Sequence, residues 1–267
     1  MEVVIRPNEE AAARLVAQLV ARQLRRKADS VLGLATGRTM ERVYDELVRL
    51  HREEGLDFSL CRTFNLDEYV GLSPADPHSY RYYMNEKLFK RVNIDLRNTH
   101  LPQGMEFDLK AECARYEALI RSAGGIDLQL LGIGETGHIG FNEPLSSLCS
   151  RTRDKSLTPE TIAVNSTLFG DEPQRMPRRA ITMGVGTILD AREVVLLATG
   201  PKKAAIIAKA VEGVVTSMVS ASALQLHPAC KVIVDEAAAG ELKAKDYYRW
   251  IFENEPDWAP YRDAPGA

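Results

Sequence analysis

The sequence predicts one α/β domain: a mainly parallel, Rossmann-like sheet with helices on both faces. Short β-branched and leucine-rich runs alternate with amphipathic stretches of helical length. Glycine or polar turn residues close nearly every run, and no repeat, low-complexity tract or linker divides residues 1–267. At 267 residues and 45% hydrophobic content, the chain can bury a substantial single core.

The elements follow in order. Residues 3–6 form a first strand, and Asn8 with Glu9 and Glu10 caps a helix running to about Lys27. Residues 30–35 form the second strand, which ends in Thr36-Gly37-Arg38-Thr39. Val43, Leu47 and Leu50 then fall at helical spacing. Such a strand–turn–helix offers backbone N–H groups and a positive helix end to a phosphate, although a plain βα turn has the same pattern. Residues 60–65 form a third strand, emptying into a loop over 66–72 that carries Asp67 and Glu68. These carboxylates are either solvated loop charges or contain a base facing the crevice. Ser79 caps a helix through Phe89, whose Tyr80, Tyr82 and Tyr83 read as core and rim. Residues 108–122 form an amphipathic helix closed by Gly124-Gly125.

The run 126–133 reads as a strand covered on both faces, so its carboxyl end should lie at the ligand crevice of a parallel sheet. From there the chain becomes Gly134-Glu135-Thr136-Gly137-His138-Ile139-Gly140-Phe141-Asn142-Glu143-Pro144. Gly140 and Pro144 break a helix, so His138 and Glu143 are not a helical metal pair; they form an acid/base constellation on a loop. Residues 146–155 hold three serines and three cations, a second anion site or a polar surface. Residues 158–177 have a weak apolar pattern interrupted by glycine and prolines, as expected of a mobile cover. Residues 180–183 and 194–199 are two further strands. The second leads through Gly200-Pro201-Lys202-Lys203 into a helix to Val211, another helix amino terminus with lysines attached. A last strand over 231–234 completes the sheet, and the tail past Glu241 is helical, then irregular.

Composition excludes several classes. A formal charge of -3, with no basic patch among aromatics, excludes a nucleic-acid partner. Cys61, Cys113, Cys149 and Cys230 are widely spaced, without CxxC pairs or clustered histidines, so neither a metal site nor a disulfide framework is expected. They read as reduced thiols of a cytoplasmic protein. The first residues lack a signal-peptide layout, and no apolar run reaches membrane-spanning length.

Thr36-Gly37, the run Phe64-Asn65-Leu66-Asp67-Glu68-Tyr69, the stretch from Gly137 to Pro144, Ser150-Arg151-Thr152-Arg153 and Gln225-Leu226-His227-Pro228 together resemble the glucosamine-6-phosphate deaminase family. The resemblance spans nearly the whole chain. It implies conversion of D-glucosamine 6-phosphate and water to D-fructose 6-phosphate and ammonia without metal or organic cofactor. By motif, it makes Asp67 the base that moves the C2 proton to C1, His138 the group that opens the sugar ring, and Glu143 the carboxylate that orients that imidazole. Gly37, Arg38, Thr39 and Lys203 would take the substrate phosphate. Glu68 receives no step.

The chain departs from the family at three positions. Thr136 stands where Asp or Asn is usual, Thr167 replaces the arginine that reaches the phosphate from the cover, and Arg38 enters the phosphate turn. Arg38 is expected to supply the guanidinium missing at Thr167. Some members are hexamers activated by N-acetylglucosamine 6-phosphate, and Ser146, Ser147, Arg153 and Lys155 match the set that holds the activator phosphate. The aromatic that assists them falls at Arg249. A homo-oligomer, hexameric if like the activated members, is therefore a partner expectation that this resemblance alone implies. Competing readings are a deaminase for another hexosamine phosphate, such as galactosamine 6-phosphate, and a non-catalytic sugar-phosphate sensor.

Overall fold

The computed structural model describes residues 1–166, 169, 170 and 173–262. Its first half follows the expected alternation: β1 (Glu2–Arg6), α1 (Glu9–Arg26), β2 (Val31–Leu34), α2 (Arg38–Glu54) and β3 (Arg62–Asn65). Asn8 accepts the Ala11 N–H at 2.8 Å, and the acidic first turn faces the positive helix end, so α1 starts where the sequence places it. Next come β4 (Asp67–Tyr69), α3 (Tyr80–Lys87), β5 (Thr99–His100), α4 (Leu109–Ser122) and β6 (Leu128–Leu131). The second half contains β7 (Arg153–Ser156), α5 (Pro159–Ser166), β8 (Arg179–Thr182), α6 (Val185–Leu189), β9 (Glu193–Ala198), α7 (Ala204–Glu212), β10 (Cys230–Asp235), α8 (Lys245–Asn254) and α9 (Ala259–Arg262).

Seven strands form the main sheet in the order β1-β10-β9-β6-β2-β3-β5, and every neighbouring pair is parallel. Consecutive residues are buried throughout β2 and β6. Because side chains alternate faces along a strand, this requires helical cover on both sides. From β2 the chain winds outward to β3 and β5, then returns to the opposite side of β2 with β6. The reversal makes the carboxyl ends of β2 and β6 the topological switch point, the usual ligand crevice of such sheets.

A second, three-stranded antiparallel sheet, β4-β8-β7, corrects three sequence expectations. Residues 67–69 are a strand rather than part of a loop, residues 153–156 form a strand within the polar stretch, and the run at 180–183 lies outside the parallel sheet. These strands have only three or four residues, and β7 is polar and half-exposed, too short and too wet to show alternation. A small core of Tyr69, Phe141, Leu157, Phe169, Met176 and Ala180 closes beneath the second sheet. It draws residues of the expected cover, 158–177, onto the body of the protein. Helix α3 ends at Lys87, with a 3-10 turn over Phe89–Arg91 instead of a continuation through Phe89. Among the described residues, no helix is long and apolar enough to cross a membrane.

Candidate active site

Four adjacent strands of the main sheet, β9-β6-β2-β3, deliver the sequence-selected residues to one edge. Beyond their carboxyl ends stand Lys203, His138, the Gly37–Thr39 turn and Asp67, respectively. At roughly 5 Å per strand, the row spans about 15 Å, the scale of a phosphorylated hexose.

Asp67 sits where the chain leaves the main sheet for the second one. Leu66 donates its N–H to the Leu34 carbonyl and accepts from Met183, and it alone separates Asp67, the first residue of β4, from the end of β3. The residue is 6% exposed. Burial, then the charge of neighbouring Glu68, pushes its pKa up to about 8. Among the described residues no hydrogen bond to its carboxylate offsets either effect. Glu68, equally buried, is used differently: its carboxylate accepts the N–H groups of Tyr69, Tyr80 and Arg81 at 2.9–3.0 Å. It therefore anchors the amino terminus of α3, beside the Ser79 cap, and leaves Asp67 as the unpaired acid. A cavity of about 310 Å³ opens behind Glu68, lined by Arg81, His100 and Gly104 among others, and contains neither Asp67 nor His138.

The loop after β6 brings the second group into place. His138 Nδ1 lies 3.0 Å from Glu143 Oε2 and 2.9 Å from Thr136 Oγ1, while Thr136 donates to the same carboxylate oxygen at 3.4 Å. A carboxylate at Nδ1 favours the tautomer with its proton there, leaving Nε2 as the exchanging nitrogen. Glu143 Oε1 accepts the hydroxyl of Thr161 from α5. Burial works to raise the Glu143 pKa, but His138 and the two threonine hydroxyls hold it below the usual carboxylate value.

Two glycines permit this arrangement. A Cβ at Gly134 would lie 2.1 Å from His138 Nε2, and one at Gly140, whose φ is 56°, would lie 2.8 Å from Thr182 Oγ1 and 3.5 Å from Asp67 Oδ2. Gly140 is thus where the histidine loop passes the aspartate. Asn142, wholly buried, pins the loop: Nδ2 donates to the Ile139 and Met183 carbonyls, and Oδ1 accepts from Arg153.

At the phosphate end, Gly37 caps the 17-residue α2 with φ 113°, a conformation other residues avoid, and its carbonyl accepts the Tyr83 hydroxyl. The exposed Arg38 makes no ion pair or hydrogen bond among the described residues. The half-buried Lys203 donates Nζ to the Ile133 carbonyl at 2.8 Å, which aims it across the end of β6. Burial lowers its pKa, against the opposing charge of Glu135. Thr167 lies outside the described residues.

Of the four residues matched to an activator site, Arg153 donates to Ser146 Oγ at 3.1 Å, Ser147 and Lys155 are exposed, and Lys155 stands two residues beyond Arg153 on β7. Arg249 pairs with Glu236 and Asp246. The sequence reading missed Thr161 and Thr182. Thr182 Oγ1 accepts the Phe141 N–H. Thr161 stands in no motif or apolar pattern, and Thr182, within the apolar run 180–183, has nothing in the sequence to mark it as a partner of the histidine loop. Cys61, Cys113 and Cys230 are buried free thiols and Cys149 an exposed one.

Comparison with known proteins gives a consistent result. A family profile described as glucosamine-6-phosphate isomerases/6-phosphogluconolactonase matches residues 8–234. Glucosamine-6-phosphate deaminase of Arthrobacter sp. (strain FB24) is 51% identical over 258 residues, covering 97% of this chain and 99% of that protein. The protein of the same name from Hahella chejuensis (strain KCTC 2396) is 51% identical over 251 residues, 94% of this chain and 95% of its own. A solved structure described as a monomeric glucosamine-6-phosphate deaminase superposes with a TM-score of 0.88 at 43% identity, covering 90% of this chain and all of that one. The 6-phosphogluconolactonase of Thermotoga maritima, at 18% identity and a TM-score of 0.68, shares the fold.

Proposed function

The chain belongs to the glucosamine-6-phosphate isomerase/6-phosphogluconolactonase family, and from that premise we propose that it converts D-glucosamine 6-phosphate and water to D-fructose 6-phosphate and ammonia. One observation carries the chemistry: a buried, unpaired Asp67 stands across Gly140 from a histidine backed by a carboxylate.

An aldose-to-ketose shift needs a base that takes a proton from C2 and returns it to C1. A carboxylate in water is too weak for this, and a desolvated one with its pKa near 8 is better matched. The substrate supplies the missing counter-charge, because an ammonium on C2 beside Asp67 favours the ionised base once the sugar is bound. His138 Nε2 moves the proton that opens the pyranose ring, and Glu143 stabilises the imidazolium that forms. Proton return to C1 gives an imine at C2. Water adds there, ammonia leaves, and the ketose remains. The N–H groups at the start of α2, with Arg38 and Lys203, receive the phosphate, anionic group against helix end and cations. These steps use side chains and backbone alone, so no metal or organic cofactor enters the proposal. A cytoplasmic setting belongs to the same reading.

Activation is a separate part. Ser146, Ser147, Arg153 and Lys155 would take the phosphate of N-acetylglucosamine 6-phosphate, and Arg153 reaches the catalytic loop through Asn142. Assembly into a hexamer belongs to this part, whereas the 43%-identical solved relative is described as monomeric. A sigmoidal rate curve made hyperbolic by the activator, with an oligomer in sedimentation, supports it; hyperbolic kinetics from a monomer refutes it.

The main proposal is tested by ammonia and fructose 6-phosphate release from purified protein. The expected result is a clear preference for glucosamine 6-phosphate over galactosamine 6-phosphate. The reverse preference makes it a deaminase for the galacto sugar, and binding without turnover makes it a sensor.

A further inference from the structure

We propose that Thr161 is a positioning residue that holds Glu143 against His138, which makes helix α5 part of the proton-transfer apparatus rather than only a cover. The inference rests on the ring-opening role proposed for His138 and Glu143.

Glu143 is a buried carboxylate with two oxygens to satisfy. Oε2 faces His138 and Thr136. Oε1 accepts from the Thr161 hydroxyl, its sole partner among the described residues. Thr161 is itself 6% exposed, so no water readily replaces it. Its hydroxyl has one hydrogen to give. Thr158 Oγ1 lies 3.2 Å away and donates to it, while also accepting the Thr161 N–H at 3.2 Å at the start of α5. The polarity is therefore fixed: Thr158 donates to Thr161, Thr161 to Glu143, and Glu143 accepts from His138 on its far side. Such a chain orients the carboxylate and supports its charged form.

A second contact places the helix at both arms of the site. Asn165, four residues on and so on the same face of α5, donates Nδ2 to the Tyr69 hydroxyl at 3.0 Å. Tyr69 is in β4, two residues from Asp67. One helix face thus touches the carboxylate behind the histidine and the strand that carries the base. The titratable and cationic groups around Glu143 are His138 in its own loop, Arg153 of β7 reached through Asn142, and Asp67 of β4 beyond Gly140. Thr161 adds no charge to this set, so its effect is geometric and through one hydrogen bond.

The test compares Thr161→Val, nearly the same shape without the hydroxyl, with Thr161→Ser, which keeps it, in kcat and KM on glucosamine 6-phosphate. Asp67, pushed up to about 8, sets the acid limb of kcat/KM, so that limb should stay in place in both variants. In Thr161→Val kcat per folded enzyme should fall about tenfold while KM stays within about twofold, because the lost hydrogen bond orients the proton-transfer pair rather than the sugar phosphate. Thr161→Ser should bring kcat within about twofold of wild type. The folded fraction of each variant is read from its unfolding curve, so a partial folding defect does not mimic the loss. An undiminished kcat in Thr161→Val, a loss confined to KM, or a serine variant no better than valine, overturns the proposal. Glu143→Gln in the same assay separates the two readings. If it keeps full activity, the role of the His138–Glu143 pair fails; if it is impaired while Thr161→Val behaves as wild type, only the positioning role of Thr161 fails.

Discussion

Asp67→Asn should stabilise the protein while abolishing its activity, and the stabilisation should depend on pH. The aspartate is buried, pushed up to about 8 in the fold, and would titrate near 4 in the unfolded chain. Between those values the folded state holds a proton that the unfolded state has released. Stability from this group is therefore fully present below pH ~4 and is lost as pH rises toward 8, at about 1.4 kcal/mol per pH unit. Across that window of about four units the loss is at most ~6 kcal/mol, less to the extent that water reaches the carboxylate. Asparagine has nearly the same shape and no such titration. The melting temperature of Asp67→Asn minus that of wild type should therefore climb steadily between pH 4 and 8. For a chain of this size, each 1 kcal/mol corresponds to about 2–4 °C. The assay is thermal unfolding in matched buffers at several pH values, with all other groups common to both proteins. A melting-temperature difference independent of pH would refute the claim that Asp67 is a desolvated, unpaired acid.

Other outcomes follow from neighbouring contacts. Glu68→Gln should weaken the start of α3, costing about 1–3 kcal/mol in denaturant unfolding, and should also lower the pKa of Asp67 by removing the adjacent charge, so the acid limb of activity moves down. An unchanged limb would mean that the two carboxylates do not interact. Gly134→Ala puts a methyl group where the His138 ring lies; activity should fall about a hundredfold with only modest loss of stability, and wild-type turnover would show that the ring has another productive position. Arg38→Ala should raise the apparent KM about tenfold with kcat nearly kept, and an unchanged KM shows that Arg38 does not hold the phosphate.

How much of this the sequence reveals depends on the length and environment of each segment. The strands of the main sheet are legible because burial on both faces demands unbroken apolar runs, such as Val31–Leu34 and residues 194–198. Asn8 marks α1 because its side chain performs the cap its chemistry suits. β4 and β7 are not legible: three or four residues cannot establish a period, and β7 is solvated. In the site, His138 and Glu143 stand out through their spacing among glycines. The distinct use of Asp67 and Glu68 does not, because which of two adjacent carboxylates caps a helix depends on where residues 79–81 return in space. Thr161 is invisible for the same reason. Its partner lies 18 residues away and is met only through the tertiary fold.

The most direct measurement is turnover of glucosamine 6-phosphate in D2O by wild type and Asp67→Asn, with ammonia assayed and C1 of the fructose 6-phosphate read by NMR. The wild type should release ammonia and deliver a hydrogen to C1 of the product, protium carried over from C2 or deuterium to the extent that the protonated Asp67 exchanges with solvent, while Asp67→Asn should do neither beyond about one part in a thousand. Asp67→Asn forming fructose 6-phosphate and ammonia at the wild-type rate, labelled or not, would contradict the assignment of Asp67 as the base.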